Sequence, residues 1–253
     1  MNMNIKKLFL AAVAAGVAVA AQAAARGVVV SGGVKYAGKI TWLNASKKYV
    51  IETARAGGGA QTTEIKAADV ASIQIEKPSA FDQAVKGRNR NVLASIVKEY
   101  SHLQWDAPAA AVLCDIYLAE GNKAEALKIC EDIVRADPEA GWKGDLAPVY
   151  WRSLLANNRT QALERALSSA ARGGDRLSSA RALVMRGDII MDSGKSRENA
   201  RRALLDGYLR AYLLYRENEV ASIVGGEAAQ KAAVCFDILG QTGRAAEFRT
   251  KTR

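Results

Sequence analysis

Residues 107–140 read APAAAVLCDIYLAEGNKAEALKICEDIVRADPEA. Apolar residues recur at steps of three and four on either side of Gly121, so two helices joined by a short turn are expected. Ala126 is small enough for a close helix contact, and Pro138 stops the second helix. The turn can be followed outward. Gly87, Gly121, Asn157, Gly194 and Gly243 are separated by 34, 36, 37 and 49 residues, a period that marks stacked helical hairpins. Asn157, the one non-glycine, tolerates left-handed backbone better than most residues. After the turns, Val92 and Ile96, Ala126 and Cys130, and Ala162 and Ala166 are the expected contact residues. The longer last step contains Arg197 to Glu217, whose apolar face is broad enough to predict burial between neighbours. Ala228 to Arg249 is expected as the final hairpin.

The unit 107–140 resembles a tetratricopeptide repeat. Leu113, Tyr117, Gly121, Ala126 and Pro138 take that family's leucine, tyrosine, turn, close-contact and closing-proline positions; Ala110 replaces its tryptophan, and Cys114 its glycine or alanine. The resemblance implies an α-α superhelix over residues 78–253 that binds a partner in a concave groove. Its register puts Ala111, Asp115 and Leu118 on that groove in the best unit, Trp151, Leu154 and Leu155 in the next, and Val184, Asp188 and Met191 in the third. An aromatic anchor with aliphatic flanks suits a peptide or a helix; the competing reading makes Trp151 part of the core.

Residues 24–77 change to a period of two. Val34, Tyr36, Ile40 and Trp42 alternate with polar residues around Gly38, as in a half-buried strand. Asn44 to Lys47 predicts a turn, Lys48 to Thr53 a return strand, Gly57 to Gly59 a second turn, Thr62 to Lys66 another strand, and Ala67 to Asp69 a short turn into Val70 to Ile75. About five short strands predict a small antiparallel barrel, and the order of features resembles the SH3-like and Sm-like barrels. The fold class expected is therefore α+β, a small barrel followed by a helical repeat stack.

Residues 1–23 place Lys6 and Lys7 before an apolar run from Leu8 to Ala21 and a small-x-small site at Ala21 to Ala23, the pattern of a secretory signal peptide. The run is shorter than the roughly 20 residues that span a bilayer, so no membrane span is expected after cleavage. The expected location is the periplasm of a bacterial envelope, or the exterior. A net charge of +10 favours anionic partners. Lys86, Arg88, Arg90, Arg197, Arg201 and Arg202 are the candidate basic surface for an envelope polymer, with Trp105 and Trp142 available to stack on sugars. Nucleic acid is not expected.

Cys114, Cys130 and Cys235 are the three cysteines. The first two stand at matching distances from the turn of the best hairpin and face each other across it. Two readings stand: a disulfide, or two small residues buried at the crossing. Gly33 to Lys39 has the spacing of a phosphate loop, yet Ile40 occupies the Ser/Thr position and a strand follows, so no nucleotide is expected. His102 is the only histidine, read as a polar residue at a helix end, and leaves no triad or histidine metal site. The chain is therefore expected to be a non-catalytic interaction module without a cofactor.

Overall fold

The computed structural model describes residues 24–54 and 58–251. The signal peptide expected over residues 1–23 lies outside the described residues, as does Gly57 of the second predicted turn. The chain is α+β: an antiparallel sheet followed by helices.

Strands β1 (Ala25–Ser31), β2 (Val34–Leu43), β3 (Lys48–Ala54), β4 (Ala60–Lys66) and β5 (Val70–Ile75) form one sheet in the order β4-β3-β2-β1-β5. Four strands run as a meander. A 3-10 turn at Ala67–Asp69 then sends β5 back beside β1. The register sets Ile40 opposite Ile51 and Trp42 opposite Tyr49, so one face collects the apolar positions of the period-two pattern. Val29, Ile40, Trp42, Ile51, Ile65 and Ile75 are buried there. Gly27 pairs with Gly38, and a Cβ on either would run into backbone of the neighbouring strand, at Gln74 and Glu52 respectively. Only glycine permits so close an approach. The expected closed barrel is not formed among the described residues: β4 and β5 remain the two edges of an open sheet.

Helices α1 (Phe81–Lys86), α2 (Arg90–Glu99), α3 (Asp106–Ala119), α4 (Lys123–Ala136), α5 (Leu146–Ala156), α6 (Thr160–Arg172) and α7 (Arg176–Asp192) follow. Next come α8 (Arg197–Ala203), a π-helical turn (Leu204–Tyr208), α9 (Leu209–Tyr215), α10 (Ser222–Ile238) and α11 (Thr242–Thr250). Neighbouring hairpins pack through α2 on α3, α4 on α5 and α6 on α7, with α3 on α5 and α5 on α7. Their cores are contiguous groups of small and aliphatic side chains with a few aromatic rings, Trp151 and Phe236 among them.

The turns lie close to the expected register but are not identical to it. Gly121 has φ 81, as a left-handed turn residue requires. Elsewhere that conformation falls on Arg88 (φ 49), Asn158 (φ 57) and Gly240 (φ 77) rather than on Gly87, Asn157 and Gly243. Gly243 instead lies inside α11. The stretch Arg197 to Glu217 is also not buried all round. Leu204, Tyr208, Ala211 and Tyr212 face the core, whereas Leu205, Leu213 and Leu214 are exposed. The π turn adds a residue to one helical turn and so shifts the two apolar stripes relative to each other.

Candidate functional site

The loop between α2 and α3 fastens the helices to the sheet. Leu103 is fully buried in the core of the sheet. The Trp105 indole N–H donates to the Ile75 carbonyl at 3.0 Å, the Gln104 side-chain oxygen accepts from the Ile75 amide at 3.0 Å, and the Tyr49 hydroxyl donates to the His102 carbonyl at 3.2 Å. His102 and Gln104 hold φ of 62° and 73°, left-handed backbone that non-glycine residues adopt only when their surroundings impose it. His102, read from sequence as a helix-end residue, therefore lies beyond α2 and stacks on Trp42 at 4.5 Å between ring centroids.

Beside this clasp a cleft of about 880 Å³ opens between sheet and helices. Tyr49 and His102 supply half-buried aromatic surface over the buried Trp42; Ser46, Lys47 and Lys66 supply a polar rim from the sheet, and Arg135 and Asp137 a rim from the end of α4. Burial pushes His102 below the usual imidazole range, against the opposing pull of Asp106, so its ring is neutral at pH 7. Asp106 is pushed above the usual carboxylate range by burial, partly offset by N–H groups of His102 and Ala107, each donating to it at 2.9 Å. That carboxyl is occupied in holding the loop. The Trp42 indole N–H is buried without an acceptor among the described residues, a cost of about 1–3 kcal/mol that native interiors rarely tolerate. The cleft offers stacking surface and cationic donors suited to binding. Among the described residues no cluster of three or more His, Cys, Asp or Glu side chains is gathered as a metal site. No helix among them is long and apolar enough to cross a membrane.

The groove set from the repeat register divides in two. Ala111, Trp151, Leu154 and Val184 are buried in the helical core, and the Trp151 indole N–H donates to the Gly141 carbonyl at 3.0 Å. They are therefore not groove surface, because the next hairpin covers them. Leu118, Leu155 and Met191 are half-buried. Asp115 pairs with Arg152 at 2.7 Å, and Asp188 accepts from Lys231 at 2.7 Å and from the Tyr208 hydroxyl at 2.8 Å. Both carboxylates are thus engaged within the stack.

The six basic residues do not form one surface. Lys86 ends α1, Arg88 sits in the turn between α1 and α2, and Arg90 begins α2, on helices that pack toward α3, whereas Arg197, Arg201 and Arg202 lie on α8, against α7 and α10. Arg90 pairs with Glu120 at 3.1 Å, and Arg197 donates to the Leu239 carbonyl at 2.9 Å. Trp105 meets Phe81 edge-on, and Trp142 lies so close to Gly173 that a Cβ there would overlap its ring. Both tryptophans are half-buried, each with one part of its ring against its neighbour. Cys114 and Cys130 are brought together as expected, as free thiols with sulfurs 3.6 Å apart.

The junction cleft was not legible in sequence. Its members come from β2 to β5 with the β2–β3 and 3-10 turns, the α2–α3 loop, the start of α3 and the end of α4; the one available signal was an isolated histidine with no helical partner. Comparison with family models, curated proteins and solved structures finds no match for this chain.

Proposed function

We propose that the protein is a non-catalytic interaction or assembly module of a bacterial cell envelope, which binds a peptide or helix of another envelope protein. In this reading the sheet is SH3-like, supported by its strand order and by the 3-10 turn before the last strand. The helices are tetratricopeptide-like, supported by hairpins that stack first helix on first helix. The signal-peptide pattern of residues 1–23 supports export.

The observation that carries the reading is the junction cleft, with the half-buried rings of Tyr49 and His102 beside a lysine rim. A peptide supplies what such a cleft selects, namely backbone carbonyls, carboxylates and flat or aliphatic side chains. The groove set is the weaker location because its aromatic anchor is core. A polyanion is the second reading, favoured by Lys47 and Lys66 on the rim and by the net charge of +10.

A photo-crosslinking residue at Ser46 on the cleft rim, compared with one at Leu118 on the hairpin face, distinguishes these sites in cells making the protein. The expected result is a discrete protein adduct from Ser46 that disappears in the Lys47→Glu/Lys66→Glu variant. Adducts from Leu118 alone would return the site to the groove. Absence of protein adducts, together with retention on an anionic polymer that salt abolishes steeply, would favour the polyanion.

A further inference from the structure

Cys114 on α3 and Cys130 on α4 are both fully buried, on facing sides of one helical hairpin. The Cys130 thiol donates to the Cys114 sulfur at 3.6 Å, and the Cys114 thiol donates to the Ala126 carbonyl at 3.4 Å. Ala126 and Ala110 pack around the pair, and their small side chains let the two helices approach. A sulfur–sulfur bond is about 2.05 Å long, so closing it takes a movement of about 1.5 Å, within the reach of side-chain rotation. The third cysteine is elsewhere. Cys235 on α10 contacts the Met191 sulfur at 3.7 Å and belongs to the last core.

We propose that Cys114 and Cys130 are a disulfide site, joined whenever the chain folds in the presence of a disulfide oxidant, while Cys235 stays a thiol. The bond would pin the hairpin that best matches the repeat pattern. It rests on the geometry of α3 and α4 and not on the junction cleft.

The chemistry is thiol–disulfide exchange. One cysteine thiolate attacks a sulfur of the oxidant's S–S bond, expelling one thiolate and forming a mixed disulfide. The second cysteine thiolate then attacks the protein-side sulfur and expels the other thiolate. Two protons and two electrons pass to the oxidant, which leaves as two thiols. The shared hydrogen bond with Cys130 and burial hold the Cys114 thiol far above its ordinary range, so thiolate is scarce in the closed hairpin. Oxidation therefore belongs to the folding chain, before α3 and α4 close.

The test uses the full chain, reduced and unfolded, then refolded in a mixture of oxidised and reduced glutathione. Free thiols are alkylated in denaturant without reductant, and the product is weighed and peptide-mapped. The parent should carry one alkyl group, on Cys235, and a linked Cys114–Cys130 peptide two hydrogens lighter than its reduced form. The Cys235→Ala variant should carry none. Three alkylated cysteines in the parent and two in the variant would overturn the proposal, as would any linkage that includes Cys235.

Discussion

Gly207 in the π turn rests on Gly187 of α7. A Cβ at 207 would lie 2.8 Å from the Gly187 Cα and N and from the Leu183 carbonyl oxygen. All three are backbone atoms and cannot rotate away, so Gly207→Ala should force the helices apart and cost about 1–3 kcal/mol. Gly243, inside α11, has nothing within 4 Å of the corresponding position. Gly243→Ala should be neutral, or more stable by up to about 1 kcal/mol, since alanine is the better helix former. Urea midpoints of the two variants test the contrast, and equal tolerance would remove the tight crossing. Sequence could not assign these two glycines, because glycine serves turns and close contacts alike. The same ambiguity affected Trp151. The repeat register placed it on the first helix of its hairpin correctly, but whether a residue there faces a groove or a neighbouring hairpin depends on how the next unit sits.

Asp175 caps α7, accepting from the Ser178 amide at 2.7 Å. Hydrogen bonding to Ser178 holds its carboxyl below the usual carboxylate range, against a smaller opposing effect of burial. A carboxyl whose folded value is depressed contributes stability above its unfolded pKa of about 4, and that contribution is lost as pH falls through the folded value. Asp175→Ala should cost about 0.5–2 kcal/mol at pH 7, whereas Asp175→Asn should cost less because asparagine also caps. The gap between parent and alanine variant should narrow as pH drops below about 4, as thermal melts across pH would record; a gap independent of pH would exclude the carboxylate cap. The hairpins as elements were legible, since apolar spacing and turn residues recur through the sequence. Their left-handed positions were displaced by one residue at Arg88 and Asn158 and by three at Gly240. Turn geometry is set by which carbonyls the helix end leaves to be bonded, and no residue type alone specifies that. The π turn left no signature in the pattern, and Leu205, expected on a buried stripe, is exposed.

Across the whole molecule, Leu103 joins the two parts, since it comes from the helical region and is buried in the core of the sheet. Leu103→Ala should cost about 2–5 kcal/mol. Hydrogen exchange should show that cost mainly as lost protection in β1 to β5, with α5 to α7 little changed; uniform loss would mean that sheet and stack unfold as one unit. The sequence by itself determined the local order: strands up to Ile75, helices from Phe81, a turn at Gly121, and two cysteines on facing helices. These follow from period, propensity and turn chemistry, which act over a few residues. Only the tertiary structure decided that the sheet stays open at β4 and β5, that Trp151 is core, that the basic residues are dispersed, and that His102 meets Trp42 at a cleft. Those outcomes depend on packing between residues distant in the chain, where burial and close contact select one arrangement among several that the local pattern allows.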